Sequence, residues 1–147
     1  MKPQAVISDL DGTLCDISHR IEHFHARNWR DFFGLIPGDS PIRAVRNTLR
    51  ALHAYGYEII FVSARSEEYR EATRWWLTEH CPGFEKFPLF LRGRYDERFD
   101  NEVKKEIYIN QIEPKYRVEF VLEDRDHVVE MWRKLSLNCW QVAKGDY

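Results

Sequence analysis

The sequence predicts an α/β fold with a mostly parallel sheet and right-handed crossovers. Three observations lead there. Short apolar runs rich in β-branched residues alternate with stretches whose apolar residues recur at helical spacing. One run, Ile59 to Val62, is apolar throughout, the composition of a strand covered on both faces. Acidic, hydroxyl and basic residues follow three of the strand runs directly, and in an open parallel sheet that edge binds ligands.

Ala5, Val6 and Ile7 make a first buried strand, followed by Asp9-Leu10-Asp11-Gly12-Thr13-Leu14 with Gly12 placed for a turn. Residues 15–39 form an irregular insertion, rich in His, Arg and aromatic side chains, which is expected to fold as short helices over that motif. Ser40 reads as a helix N-cap with Pro41 at the first helical position, and Ile42, Val45, Leu49 and Leu52 continue at helical spacing as far as Gly56. Glu58 to Val62 is a strand that delivers Ser63, Ala64 and Arg65 to its carboxyl end. Ser66 is placed to cap a helix with Glu67 and Glu68 in its first turn, on which Trp75 and Trp76 read as packing residues. Pro82-Gly83 breaks the chain, Pro88 to Leu91 is a short strand, and a charged loop leads into a helix carrying Val103, Lys104, Ile107 and Ile112. Val118 to Leu122 is a strand ending in Glu123, Asp124, Arg125 and Asp126. Val128 to Leu135 is a helix that Asp126 could cap, and Cys139 to Val142 is the last strand.

The 147 residues fit a single domain over 1–147 with one core. With 44% hydrophobic and 31% charged residues, a largely disordered chain is excluded. A net charge of -2 supplies no global attraction to nucleic acid, so such binding needs a local basic patch. No apolar run is long enough to span a bilayer and the N-terminus lacks the apolar stretch of a signal peptide, so a cytoplasmic protein without membrane association is expected. Cys15, Cys81 and Cys139 show no CxxC pairing and read as buried small hydrophobes.

Strand alternation places Asp9 and Asp11 on the same side, with Leu10 facing away. Like charges held that close call for a cation between them or a shared proton. Helix capping alone would explain Ser66 or Asp126, but not the acidic pair with its glycine. Carboxylates gathered at one sheet edge with Ser63 and Arg65 suit a magnesium-dependent phosphoryl reaction, in which hard oxygen ligands hold the metal and cations meet the phosphate.

On these residues the chain resembles the haloacid dehalogenase (HAD) phosphatase superfamily: Asp9-Leu-Asp11-Gly-Thr-Leu its first motif, Ser63 its second, Lys104 its third and Glu123-Asp124 its acidic fourth. It is similar, more closely, to the 3'-phosphatase domain of bacteriophage polynucleotide kinase/phosphatase. That similarity rests on Val62-Ser-Ala-Arg65, on Asp96 to Asp100 leading into Val103-Lys104, on Glu123-Asp-Arg125 with Val128 to Arg133, and on the tail Cys139 to Tyr147. The resemblance covers nearly the whole chain except Ile17 to Asp39. It implies a three-layer Rossmann-like fold with a small cap over about residues 15–39. It further implies a Mg2+-dependent phosphomonoesterase that removes 3'-phosphate from DNA or RNA ends. Asp9 would be the nucleophile that forms an aspartyl-phosphate, and Asp11 the general acid and base. Asp9, Asp124 and the backbone carbonyl of Asp11 would hold the metal. Ser63 and Lys104 would bind the phosphoryl oxygens, with Thr13, Arg65 and Arg125 also on the substrate side. Asp100 would orient Lys104, and Glu123 would act as a water anchor behind the metal.

The chain departs from that pattern at Glu123, where the relatives carry aspartate. The phosphate-cradling GxxxxGK[ST] loop is absent, which implies a free-standing phosphatase working beside a second copy of itself or a separate kinase or ligase. His19, Arg20, His23, His25, Arg27, Trp29 and Arg30 form a basic and aromatic cluster on the insertion. It suits a single-stranded nucleic-acid end, and a lid that merely excludes water is the competing reading. His19 and His23 also have the spacing of zinc ligands on a helix, without the remaining ligands of a known motif. Two other functions fit the motifs: a phosphatase of mononucleotides or small metabolites, and a phospho-acceptor signalling module. The module is disfavoured because the acidic motif lies on the first strand.

Overall fold

The computed structural model describes residues 1–147. β1 (Gln4–Ser8) is followed by β2 (Cys15–Asp16), a 3-10 turn over Ser18–Arg20, and the short helices α1 (Ile21–His25) and α2 (Trp29–Gly34). β3 (Ser40–Pro41) then returns antiparallel to β2, Cys15 opposite Pro41, so a two-stranded ribbon ties the two ends of the insertion together. This corrects the reading of Ser40-Pro41 as a helix start. Ile42 is still extended and donates its N–H to Leu14 O at 2.7 Å, and α3 (Arg43–Tyr55) begins after it without a side-chain cap. Closing the insertion requires extended backbone at 40–41, and a residue before proline resists the helical conformation.

The chain continues through β4 (Glu58–Ser66), α4 (Arg70–His80), β5 (Leu89–Arg92), α5 (Asp100–Ile107) with a π-helical extension to Ile112, β6 (Arg117–Arg125), α6 (Asp126–Lys134) and β7 (Asn138–Gly145). The five main strands form one parallel sheet in the order β5-β4-β1-β6-β7. β1 is central because Ala5, Val6 and Ile7 are all buried and apolar, so both of its faces can be covered. One core, holding Leu10, Leu49, Ile59 and Trp76, packs on one face; a second, holding Ile7, Ile60, Val121 and Trp132, packs on the other. β4 and β6 run further than predicted, so Ser63, Arg65, Glu123 and Asp124 lie on strands and not on loops. Two helix readings are corrected. Trp75 is half exposed while Trp76 is fully buried, and the Asp126 carboxylate accepts a hydrogen bond from Gln141 Nε2 at 2.6 Å instead of capping α6. No helix is long and apolar enough to cross a membrane.

Candidate active site

β1, β4 and β6 are neighbours and end at one edge, where the chain order reverses on either side of β1. The loop after β1 folds tightly, the N–H groups of Thr13, Leu14 and Cys15 all donating to Leu10 O at 2.9 to 3.1 Å. Gly12 sits at φ +81°, and a Cβ there would overlap the Asp124 carboxylate and lie 2.7 Å from Tyr147 Oη. Only glycine lets the loop approach β6 this closely.

Asp9 and Lys104 are brought together across 95 residues of sequence. Lys104 Nζ donates to Asp9 Oδ1 at 2.9 Å and to Glu123 Oε2 at 2.8 Å, and all three groups are buried. Thr13 Oγ1 lies 3.3 Å from Asp9 Oδ2 and 3.4 Å from Asp124 Oδ1. Burial, then the charge of Glu123, pushes Asp9 from the ordinary carboxylate range up to about 8. Burial and the charge of Asp9 push Asp124 up to about 7. Burial alone would weaken the hold of Lys104 on its proton, but Asp9 and Glu123 outweigh that and raise its pKa.

Oxygens of Asp9, Glu123 and Asp124 come within 4.8 Å of one another. Three buried carboxylates with one buried ammonium leave an excess of negative charge, which is costly in a dry site. An all-oxygen donor set carrying that excess fits a hard divalent cation.

Asp11 has the opposite environment. It accepts from Arg65 Nη2 at 2.7 Å and Nε at 3.2 Å, and from Arg20 Nη2 at 2.5 Å. Burial acts to raise its pKa, but the guanidinium groups of Arg65 and Arg20 outweigh it and hold the carboxyl well below the usual range. Two carboxylates two positions apart are thus driven in opposite directions, Asp9 toward its protonated form and Asp11 toward its ionised form. Arg65 also donates to Thr73 Oγ1 at 2.9 Å and is fully buried, so the guanidinium read as a phosphate contact is committed to Asp11.

Arg20 is in turn fixed by Asp39, its Nε on Oδ1 and Nη2 on Oδ2, both at 2.7 Å, and lies 4.3 Å over the Phe32 ring. The His19 ring also binds Asp39 Oδ1, at 2.7 Å, and Trp76 Nε1 donates to the Asp39 carbonyl at 2.8 Å. His19 therefore faces a carboxylate and not a shared metal with His23. Arg20 and Asp39 are site residues that sequence reasoning missed. Nothing local separates a buried Arg20 from the exposed Arg27 and Arg30 of the same basic stretch.

The remaining residues fall into place around this centre. Ser63 Oγ is buried at the end of β4 and accepts from the Arg65 N–H at 3.1 Å. Asp100 bridges Arg92, at 2.7 Å, and Arg125, and it makes no hydrogen bond to Lys104; the orienting contact belongs to Glu123. The extra methylene of Glu123 lets it meet Lys104 with Oε2 while Oε1 accepts from the Asp124 N–H at 3.2 Å. Arg125 contacts the tail at Tyr147.

The chain is similar to several known proteins. A chain in the Pnkp1/Rnl/Hen1 RNA repair complex superposes with a TM-score of 0.85 at 37% identity, covering 99% of this chain and 44% of that one. A protein of Autographa californica nuclear polyhedrosis virus, named as a bifunctional polynucleotide kinase/RNA ligase, is 30% identical over 136 residues, which are 92% of this chain and 18% of the viral protein. The class C acid phosphatase of Bacillus anthracis shares the fold at 17% identity and a TM-score of 0.66, over 84% of this chain and 53% of that one. This chain thus spans less than half of the first relative and about a fifth of the second. The fold is also shared with a hydrolase of Streptococcus pneumoniae TIGR4, at 14% identity and a TM-score of 0.63 over 98% of this chain and 95% of that one. Residues 3–147 match the family described as polynucleotide kinase PNKP phosphatase domain, and the chain belongs to that family.

Proposed function

We propose that this chain is a Mg2+-dependent polynucleotide 3'-phosphatase that removes 3'-phosphate from DNA or RNA ends in nucleic-acid repair. The observation that carries the reading is the opposed pair: Asp9 against Lys104 and the acidic cluster, Asp11 clamped by two arginines. Family membership names the polymer, and the names of the relatives support a partnership with kinase or ligase activities.

Asp9 attacks phosphorus, its carboxylate oxygen forms the new P–O bond, and the bond to the 3'-oxygen breaks. Asp11 lies two residues on, placed to pass a proton to the departing oxygen. It then takes one from water, which attacks the aspartyl-phosphate, releases inorganic phosphate and restores Asp9. The arginine clamp leaves Asp11 ionised before substrate arrives. Protonating it for the first step requires that the bound phosphate anion weaken the pull of Arg20 and Arg65 and so let its pKa rise toward the ordinary carboxylate range. Lys104 and Ser63 hold the transferring oxygens, and Glu123 keeps Lys104 aimed at Asp9. Asp9, Asp124 and the Asp11 carbonyl would hold Mg2+, whose charge would displace the proton that burial keeps on Asp9 and lower the repulsion between the nucleophile and the phosphate.

Phosphate release from one oligonucleotide carrying the group at its 3' end, its 5'-phosphorylated isomer and a 3'-mononucleotide tests the substrate class. The reading predicts clear preference for the 3'-phosphorylated oligonucleotide. Equal or faster release from the 5' isomer rejects it, and equal turnover of the mononucleotide favours a small-metabolite phosphatase.

A further inference from the structure

Tyr147 reaches into the acidic site from the tail that follows β7. Its hydroxyl donates to Asp124 Oδ2, the oxygen left over by Thr13, which sits on Oδ1. Four separate features fix that hydroxyl in place. The tail can pass β6 only because residue 145 is glycine: a Cβ there would collide with the Asp124 carbonyl and lie 2.7 Å from Arg125 Cα. Arg125 donates to the main-chain oxygen of Tyr147 from Nε at 3.2 Å and Nη2 at 2.9 Å, and lies 5.0 Å over its ring. Phe24 of α1 meets the ring edge-on at 5.3 Å. The absence of a side chain at Gly12 leaves room for the phenol itself.

So many constraints on one hydroxyl exceed what packing of the ring alone needs. A carboxylate that ligates a cation works best when a fixed donor holds its plane and leaves its other lone pairs to the metal. We propose that Tyr147 is a positioning residue that orients Asp124 for the divalent cation, without being a ligand itself. The proposal rests on the assignment of Asp124 as a metal ligand.

Calorimetric titration of Mg2+ into the full chain, with wild type, Asp124→Asn and Tyr147→Phe side by side, tests it. The melting temperature of each is taken without metal as a check on folding. Asp124→Asn should lose saturable binding. Tyr147→Phe keeps the ring and should bind Mg2+ about 10-fold or more weakly, within the range for a lost outer-shell partner. Its turnover should return toward wild type at saturating Mg2+, a rescue that a purely structural role would not produce. Tyr147→Phe binding as tightly as wild type, or more tightly, overturns the proposal while leaving the metal site intact. Undiminished binding by Asp124→Asn overturns the metal assignment and the proposal together.

Discussion

At the scale of single residues, the site divides into a half that titrates high and a half that titrates low, only two positions apart. Asp9 faces burial and two further acids, relieved by one lysine; Asp11 faces two guanidinium groups. The low half depends on Arg20, which joins Asp11 to Asp39 with one planar fork. Lysine retains the charge but cannot span both carboxylates. Arg20→Lys should therefore fold yet lose turnover on the order of 100-fold through misplacement of Asp11, read as kcat with KM nearly unchanged. Arg20→Ala should in addition destabilise the fold by about 3–5 kcal/mol, because a buried Asp39 loses its principal partner, a loss that chemical denaturation measures. Their places at strand ends made Asp9, Asp11 and Asp124 legible as candidates, and Lys104 was legible only through the family resemblance. The clamp was not legible, because one arginine comes from β4 and the other from the irregular insertion, and no local pattern links them.

Among the elements, the insertion does more than cover the site. Its 3-10 turn delivers Arg20 to Asp11, and α1 delivers Phe24 to Tyr147. Short helices of five and six residues with few caps hold there through side-chain contacts, chiefly Phe24, Trp29, Phe32 and Phe33 packed ring against ring. That explains why the segment shows no periodicity: its order comes from an aromatic cluster and the ribbon of β2 with β3, not from an amphipathic repeat. Arg27 and Arg30 remain exposed at its outer surface. If they meet the nucleic-acid strand, the double variant Arg27→Ala with Arg30→Ala should raise KM for a 3'-phosphorylated oligonucleotide several-fold, with a salt-dependent loss. Turnover of a 3'-mononucleotide should hardly change. Equal effects on both substrates would leave the insertion as a water shield. Elements with clean periodicity, α3 above all, were legible from Val45 and Leu49, whereas the strand ends at Ser63–Ser66 and Glu123–Arg125 were hidden because polar side chains continue the extended backbone into the site.

For the whole molecule, the sheet order places β1 between β4 and β6, so three segments distant in sequence deliver their polar residues to one edge. Alternation of strands and helices made that convergence readable in advance; the tail's return to Asp124 was not, since it depends on a close approach at Gly145. Concentrating carboxylates there has a cost in stability that depends on pH. Asp9 and Asp124 have pKa values raised to about 8 and about 7, so between the ordinary carboxylate range and pH 8 the folded chain binds more protons than the unfolded one. Stability must then fall as pH rises through that window. The metal-free melting temperature should drop from pH 5 to pH 8, and added Mg2+ should stabilise more at pH 8 than at pH 5, because it competes with those protons. Differential scanning fluorimetry across that range measures both.

The central claim is that Asp9 attacks phosphorus. Mixing the chain with Mg2+ and a 3'-phosphorylated oligonucleotide, quenching in acid within one turnover and mapping the phosphate by peptide mass spectrometry tests it most directly. An aspartyl-phosphate on the peptide containing Asp9, absent together with turnover in Asp9→Asn, is the predicted result; phosphate on another residue, or near-normal turnover in Asp9→Asn, would contradict it.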